Sequence, residues 1–514
     1  MSAAAAYAFV GKVTGQNFAA PAQAEEIPKG GTLRISMRVI EVTSPHTYNW
    51  VYDSNVGRGV HEYLTKTGQD NITRPYMAES WSASDDLRTW TLKMRDIKWH
   101  NGRDFTADDA IWNIKRCLDE KTGSSVIGLM KGYMLNEAED GTTELWDANA
   151  VEKVDDHTLR LNLKEAHVGV PEDLFHYPMA ILDPEEGGSF GVGSNGTGPF
   201  DLVEHSVGVK SVLRARSDYW GDGPYLDELQ YIDLGDDPSA EILALASQQV
   251  HGQYQGDVSQ LDALKASPHI VIHEALTAAT GVARVQVDRE EFSDPRLRKA
   301  MRLAVDTPRC LELAHRGLGA PGEHHHVCPV HPEYNKLPFM ERDLEAAKAL
   351  LAEAGHPNGV TLEITAKKDP AWEVQAVQAM VEQWKDAGIN VNINLLPSTQ
   401  FWDDWTNYPF SFTSWAHRPL GFMVLALAYR SGVPWNESHH SNAEFDELLT
   451  KAEGTLDVDE RREIIGQLQS IMQDTGPMVQ PLWRSLFVAY DKRVKGFRQH
   501  PTGYIFGEEI GIES

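Results

Sequence analysis

The chain has 514 residues, 41% of them hydrophobic, and carries 47 basic against 75 acidic side chains. This length exceeds one ordinary hydrophobic core and predicts two or three domains, and the composition is typical of a globular protein. The formal charge of −28 repels nucleic acid and anionic membranes, and no basic cluster overrides it. Nucleic-acid binding is therefore excluded from the expected functions.

The N-terminus resembles an export signal without its basic start. SAAAAYAFVG is small and apolar, and Ala22-Gln23-Ala24 offers a small-x-small cleavage pattern. We expect residues 1–24 to be a signal remnant and the mature chain to be periplasmic; a flexible leader is the alternative. No cysteine lies near the cleavage point, so no lipid anchor is expected. The three cysteines (Cys117, Cys310 and Cys328) form no CxxC pair and predict buried thiols, neither a disulfide framework nor a zinc site.

Two strands and a helix are predicted in the first part of the chain. GGTLRIS (30–36) and RTWTLKMR (88–95) alternate apolar and polar residues, as strands do. In TADDAIWNIKR (106–116), Thr106 can cap a helix and Asp109 can complete a capping box, while Ile111 and Ile114 form an apolar stripe.

The second part predicts a layered α/β arrangement. VARVQV (282–287) precedes a helix that Asp294 or Ser293 caps, with Pro295 in its first turn. Farther on, VTLEIT (360–365), a helix over AWEVQAVQAMVEQWKDAG (371–388) and INVNINL (389–395) follow one another. Strand, helix and strand at this spacing predict a parallel crossover unit.

Motifs for catalysis fail on their context. GVGSNG (191–196) satisfies GxGxxG, but Thr197-Gly198-Pro199-Phe200 leads into a strand where a dinucleotide loop must open a helix. His273-Glu274 begins like a zinc-protease helix, but Thr277 stands where the second histidine is needed. There is no nucleophile elbow and no Walker loop. We expect no catalytic residues, no cofactor and no enzyme activity.

The segment GEHHHVCPVH (322–331) is rich in metal-binding side chains. His324, His325 and His326 are the candidates for a metal site, yet adjacent residues of an extended loop point in alternate directions and cannot all reach one ion. The neighbouring prolines, Pro321, Pro329 and Pro332, indicate a surface or interface loop. We therefore expect no specific metal site here.

Four blocks of the chain resemble the family 5 extracellular solute-binding proteins, which serve ABC importers for dipeptides, oligopeptides, nickel and opines. They are RPYMAESWSASDDLRTWTLKMRDIKWHNGRDFTADDAIWNIKR (74–116), GTGPFDLVEHSVGVKSVLRARSDYWGDGPYLDELQYIDL (196–234), FSDPRLRKAMRLAVDTPRCLELAHRGLG (292–319) and DLEAAKALLAEAGHPNGVTLEIT (343–365). The blocks stand in family order and the resemblance covers nearly all of the mature chain.

The resemblance implies the two-lobed periplasmic-binding-protein fold of type II, an α/β fold with mixed sheets flanked by helices. Lobe I would comprise residues 25–60, 195–280 and 486–514, with an inserted subdomain at 61–194. Lobe II would comprise residues 281–485. It further implies a protein without bond chemistry that closes by a hinge on its solute and presents the solute to a membrane-embedded ABC permease. The oligomeric state stays open, with a monomer as the default expectation.

The segment TSWAHRPLGF (413–422) suggests what the solute carries. In the peptide-binding members, a tryptophan here is followed three residues later by an aspartate that receives the peptide α-ammonium. This chain keeps Trp415 but has Arg418 in place of the aspartate. A guanidinium favours a carboxylate or phosphate over an ammonium, so a peptide-like or opine-like solute with an anionic group is expected. In the alternative, Arg418 turns away to pair with Asp403 or Asp404.

The resemblance implies further contacts. His417 is a second candidate in the same segment, with a packed, hydrogen-bonded histidine as the alternative, and Trp402 falls where oligopeptide binders place a pocket tryptophan, with a core position as the alternative. The other predicted ligand contacts are Tyr48, Trp50, Tyr52, Tyr254, Gln255, Trp435 and Asn436.

Two other functions stay open. One is a nickel or metal-chelate receptor of the same fold that uses His417 or the triple histidine. The other, ranked last, is a metal-assisted hydrolase.

Overall fold

The computed structural model describes residues 26–48, 50–137, 142–235 and 237–514, apart from the side chain of Thr399. The expected export signal, residues 1–24, lies outside the described residues. No helix in the described part of the chain has the length and apolar character needed to cross a lipid bilayer.

The described residues contain 21 strands, numbered here in chain order. They are β1 (Thr32–Ser36), β2 (Thr65–Thr67), β3 (Thr73–Pro75), β4 (Ala78–Ala83), β5 (Thr89–Met94), β6 (Leu135–Glu137), β7 (Thr143–Leu145), β8 (Val151–Asp155), β9 (Thr158–Asn162), β10 (Phe200–Ser206), β11 (Lys210–Ala215), β12 (Glu228–Ile232), β13 (Gly252–Gln253), β14 (Ile270–Val285), β15 (Gly319–Pro321), β16 (Val360–Lys367), β17 (Ile389–Leu396), β18 (Phe410–Trp415), β19 (Met478–Asp491), β20 (Val494–Lys495) and β21 (Gly511–Ile512).

The same residues contain fourteen α-helices. They are α1 (Val51–Gly57), α2 (Ala107–Leu118), α3 (Val126–Met134), α4 (Val170–Asp173), α5 (Pro238–Ala246), α6 (Leu261–Lys265), α7 (Pro295–Leu303), α8 (Thr307–His315), α9 (Leu344–Glu353), α10 (Ala371–Asp386), α11 (Ser398–Asp403), α12 (Gly421–Ala428), α13 (Ala443–Glu453) and α14 (Val458–Thr475).

The chain divides into two compact units. Unit one comprises the described part of Met1–Ala275 together with Leu486–Ser514, and unit two comprises Leu276–Ser485. The chain passes from the first unit to the second within β14 and returns within β19. Unit two is therefore one continuous segment, whereas unit one is assembled from two.

Unit one is built on a mixed sheet whose strands follow the order β10, β11, β12, β1 and β13. The predicted opening strand is confirmed as β1, which pairs in parallel with β12 through Leu33 and Leu229 and with β13 through Ile35 and Gly252. Leu33 and Ile35 are fully buried in the core of this unit, as their alternation with polar residues requires. GVGSNG leads into strand β10, as expected, so it opens no phosphate-binding helix.

A second sheet of unit one contains β4, β5, β9 and β8 in that order, all antiparallel. The predicted strand at 88–95 is its β5. Helix α2 begins where predicted, because Thr106 and Asp109 form the capping box that satisfies the first free N–H groups of the helix. Within this helix, the side chain of Ile114 is buried and that of Ile111 is partly buried.

Unit two contains the predicted crossover. Strands β16 and β17 pair in parallel from Val360 with Ile389 to Lys367 with Leu396, and α10 connects them. Helix α10 buries Val377, Val381 and Trp384 against the sheet, while Val374 is only partly buried. Strand β18 adds in parallel to β16 and antiparallel to β14. Helix α7 starts at Pro295, and the Asp294 side chain, not that of Ser293, accepts the capping hydrogen bond.

Candidate functional site

The carboxyl ends of β16, β17 and β18 meet at one edge of the sheet in unit two, because the three strands run in parallel. Ligands of α/β sheets bind at such an edge, where strands give way to loops. Lys367 ends β16, Trp402 lies in the helix that follows β17, and Trp415 ends β18 with Arg418 just after it. Of the predicted contacts, Trp402, Trp415 and Arg418 thus lie at one edge of one sheet.

Trp415 is held by a buried carboxylate. Its indole Nε1 donates to Oε1 of Glu437 at 3.1 Å, and the ring is only 7% exposed. The other oxygen of Glu437 accepts from the Thr413 hydroxyl at 2.7 Å and lies 2.7 Å from Nε of Arg284. Thr413 and Trp415 alternate along β18, so both side chains reach this carboxylate from the same face of the strand.

The guanidinium of Arg284 continues this network into the next loop. It donates to the backbone carbonyls of Trp405 at 2.6 Å and Tyr408 at 2.7 Å. Such charged bonds to buried carbonyls fix a loop that has no regular structure of its own. The loop between α11 and β18 is therefore attached to the same ion pair that orients Trp415.

A second buried ion pair lies at the end of β16. Nζ of Lys367 is 3.0 Å from Glu373 and donates to the hydroxyl of Ser414 at 2.9 Å. The same ammonium lies 4.3 Å from the ring centre of Trp402, a cation–π contact. Burial raises the pKa of Glu373, and Lys367 opposes that rise. Trp402 is partly buried, with one ring face occupied by a cation.

Arg418 is partly buried, and its guanidinium has few partners. Nη1 donates to the backbone carbonyl of His417 at 3.2 Å, while the buried Nε has no hydrogen-bond partner. Within the described ranges, no carboxylate lies at ion-pair distance from Arg418, and neither Asp403 nor Asp404 pairs with it. The guanidinium is therefore able to pair with an anion from outside the chain.

His417 is packed into the protein. The ring is buried, and its Nδ1 accepts a hydrogen bond from the backbone N–H of Ala278 at 3.0 Å. This geometry corresponds to the packed histidine that was the alternative for this residue. We do not retain His417 as a ligand contact.

The histidine segment is buried, and the predicted surface loop is wrong. His324, His325, His326, Cys328 and His331 are each at most 3% exposed. Its ring nitrogens accept backbone N–H groups, including those of Gln480 at His324, Val327 at His325 and Cys328 at His331. An irregular segment can be buried once its backbone donors are satisfied, which the proline content did not reveal.

The partners of these histidines also differ from ring to ring. His326 bonds to the Tyr429 hydroxyl at 2.8 Å, and His331 Nε2 donates to the carbonyl of Arg418 at 3.0 Å. Burial lowers the pKa of His324, His326 and His331 to about 3. Across residues 26–514 as far as they are described, no group of three or more His, Cys, Asp or Glu side chains converges as a metal site would require.

The predicted contacts of unit one follow its own parallel strands. Tyr254 and the exposed Gln255 come directly after β13. Trp50 is 52% exposed and stacks on Tyr52 with the ring centres 6.0 Å apart, and Tyr52 meets Tyr254 edge-on at 6.1 Å. These four residues stay predicted contacts.

The structure does not support the predicted ligand contacts at Tyr48 and Asn436. Tyr48 lies in the core of unit one, and its hydroxyl donates to the carbonyl of Val42 at 2.9 Å. The amide of Asn436 is buried and bonded to Arg430, Ser438 and His440, so it organises its own loop. Neither side chain has a polar group left for a ligand.

The sequence did not predict four residues of the candidate site: Glu437, Arg284, Lys367 and Trp405. Their roles depend on pairings between distant segments, which single-sequence patterns do not encode. One signal was present: an arginine in the buried strand VARVQV and a lysine at the end of VTLEITAK each demand a buried partner.

The family whose sequence model matches is described as bacterial extracellular solute-binding proteins, family 5 Middle, and the match spans residues 73–433. The chain belongs to this family. Its members are binding proteins that work with ABC importers, as the resemblance implied, and the fold class is confirmed.

Individual relatives are distant in sequence. Heme-binding protein A of Haemophilus influenzae is 26% identical, with 85% of this chain and 84% of the relative covered. Dipeptide-binding protein DppE of Bacillus subtilis is 25% identical, with coverage of 87% and 85%. The structure of AgaA from A. tumefacien R10 with agropinic acid has a TM-score of 0.77 at 23% identity and covers 94% of this chain and 99% of that chain.

Proposed function

We propose that this family 5 protein is a periplasmic receptor that delivers a peptide-like or opine-like solute with an anionic group to an ABC permease. The observation that carries the proposal is the state of Arg418. Its guanidinium is partly buried, and the buried Nε has no hydrogen-bond partner. No carboxylate of the described residues lies at ion-pair distance from it.

The physical argument concerns the charge of the ligand. At 4 Å and an effective dielectric near 20, two unit charges interact by about 4 kcal/mol, so exchanging an aspartate for an arginine reverses the preference between ammonium and carboxylate. Arginine also presents two parallel N–H donors that match a carboxylate. A free dipeptide with its ammonium at this position is disfavoured, whereas an N-blocked peptide or an opine satisfies the guanidinium.

The relatives are compatible with this class of solute. DppE is a dipeptide-binding protein by name, and AgaA was solved with agropinic acid. They support a solute with peptide-like or opine-like groups, while Arg418 supports its negative charge at this edge.

The alternative of a metal-chelate receptor has less support. His417 accepts from a backbone N–H, and His324, His325, His326 and His331 each bond to other groups of the protein. Nε2 of His324 and Nε2 of His326 have no hydrogen-bond partner, but among the described residues no group of three or more His, Cys, Asp or Glu side chains is placed to share one ion.

Native mass spectrometry of protein purified without refolding tests the proposal. The expected result is a retained solute whose released mass and fragments correspond to an acidic peptide-like or opine-like compound. Arg418→Gln protein, purified in parallel, should lose this solute. Retention of a cationic solute, or of the same solute by the variant, would refute the proposed role of Arg418.

A further inference from the structure

Three tryptophans of unit two contact one another in a closed triangle. The ring centres of Trp405 and Trp415 are 6.2 Å apart, those of Trp405 and Trp435 also 6.2 Å, and those of Trp415 and Trp435 6.1 Å. The interplanar angles are 69°, 72° and 67°, so every pair is edge-to-face. We name Trp405, Trp415 and Trp435 the aromatic wall.

The aromatic wall is not an ordinary part of the core. Trp415 is buried, but Trp405 is only partly buried and Trp435 is 40% exposed. In the same unit Trp384 and Trp483 have no exposed surface. Large aromatic side chains left exposed together mark a contact surface, because covering them releases their water.

The wall is also fixed in place. Arg284 donates to the backbone carbonyl of Trp405, and Glu437 accepts the indole N–H of Trp415 and stands two residues after Trp435. The ring of Trp415 and the backbone carbonyls of Trp405 and Trp435 are therefore bonded to the two residues of one buried ion pair. A site held in this way loses little conformational entropy when a ligand binds.

The charges beside the wall favour a neutral ring over a cation. Aromatic walls can bind organic cations, but the Lys367 ammonium already lies over Trp402, whose ring centre is 5.7 Å from that of Trp405. Glu373 neutralises the Lys367 ammonium, and the exposed Asp403 and Asp404 precede Trp405. Arg418, three residues after Trp415, has no carboxylate at ion-pair distance among the described residues, and its positive charge opposes a cationic ring. Both oxygens of Glu437 are bonded within the protein, so this carboxylate offers no counter-charge.

We propose that the aromatic wall binds a planar aromatic ring of the same solute whose anionic group pairs with Arg418, an inference that rests on the proposed function. The solute class narrows to aromatic carboxylates of peptide-like or opine-like build, such as N-aroyl peptides. Trp435 contributes an accessible ring surface, Trp405 the adjacent one, and Trp415 the support beneath them.

Two acylated dipeptides that differ only in ring planarity test the inference. Benzoyl-Gly-Gly and cyclohexanecarbonyl-Gly-Gly have the same length and charge, and their affinities are measured by titration calorimetry. The aromatic probe should bind roughly three- to tenfold more tightly, the range expected for ring–ring contact beyond surface burial. Trp435→Leu and Trp405→Leu should each bring this ratio close to one, whereas Phe339→Leu, which alters an aromatic residue 44% exposed in the same unit, should leave it unchanged.

The outcomes separate the inference from the proposed function. Equal affinities of the native protein for the two probes, or an unchanged ratio in both tryptophan variants with native circular dichroism, would overturn the aromatic wall alone. Arg418→Gln should weaken both probes while preserving their ratio; if it weakens neither, the proposed function fails instead. Failure of the native protein to bind either probe would count against both.

Discussion

Arg284 and Glu437 form an ion pair of 2.7 Å with side chains 1% and 3% exposed. The pair orients Trp415 and anchors the loop that carries Trp405. Burying two charges is costly, and hydrogen bonds to both oxygens of Glu437 and from both terminal nitrogens of Arg284 offset that cost. Its value lies in positioning, since two strands and two loops of unit two meet at these two side chains.

Glu437→Gln should therefore destabilise the protein by about 3 kcal/mol or more, because Arg284 keeps a buried charge without its counter-charge. Urea unfolding followed by circular dichroism measures this loss. Glu382→Gln provides the control, since Glu382 and Lys385 form a pair whose side chains are 71% and 49% exposed. That change should cost less than about 1 kcal/mol. Equal losses in the two variants would show that the buried pair has no special role.

Arg418→Asp should reverse the charge preference of the site. We expect the affinity for acetyl-Ala-Ala to fall by roughly a hundredfold or more, because an aspartate repels the anion that the arginine attracted. The affinity for free Ala-Ala should rise, because only this peptide carries an ammonium that the aspartate attracts. Titration calorimetry with both peptides measures the change. Arg309→Asp, an exposed position in α8, makes the same change in net charge and should alter neither affinity. An unchanged preference in Arg418→Asp would be incompatible with contact between Arg418 and the solute.

Glu62 in unit one should make stability depend on pH. Its buried carboxylate accepts from the Tyr219 hydroxyl at 2.8 Å and from the Trp220 indole at 2.7 Å. Burial, only partly offset by these hydrogen bonds, raises its pKa from 4.5 to about 7. Below pH 4.5 the carboxyl is protonated in both states, and between pH 4.5 and 7 only the unfolded state loses the proton. The contribution of Glu62 to stability is therefore lost as the pH rises through this range.

Comparison with Glu62→Gln isolates this effect. The free energy of unfolding of the native protein minus that of the variant should fall by roughly 2 to 4 kcal/mol between pH 4.5 and 7, at about 1.4 kcal/mol for each pKa unit. Urea titrations at several pH values measure the difference. Glu363→Gln, which makes the same substitution on the exposed side of β16, serves as the control for the change of residue. A difference for Glu62→Gln that does not change with pH would contradict the raised pKa.

The histidine segment should not bind metal ions in the folded protein. His324, His325, His326 and His331 each have a ring nitrogen bonded to a backbone or side-chain partner, and the described residues hold no group of three or more His, Cys, Asp or Glu side chains placed to share one ion. Neither ZnCl2 nor NiCl2, alone or with free histidine, should raise Tm in a calorimetric scan, and equilibrium dialysis should find no bound metal. A rise in Tm that His326→Gln abolishes would favour the metal-chelate receptor.

Local patterns predicted the parts of the fold that depend on neighbouring residues. The crossover of β16, α10 and β17 followed from alternation and helical spacing, and the capping box of Thr106 and Asp109 followed from residue type and interval. Residues of the candidate site could be predicted only where the family resemblance applied, at Trp415 and Arg418. Glu437 and Arg284 find each other through the tertiary fold, and the burial of His326 depends on Tyr429, so no local pattern could reveal them.

The return of the chain through β19 affects the order in which the protein can acquire its structure during synthesis. Tyr490, Ile505 and Ile510 belong to the core of unit one, although this core begins with Leu33 in β1. A ribosome therefore releases all of Leu276–Ser485 before it supplies the last residues on which unit one depends. Unit one, whose synthesis begins first, is therefore completed last. A nascent chain stalled near Ser485 would lack the C-terminal residues that complete the core of unit one.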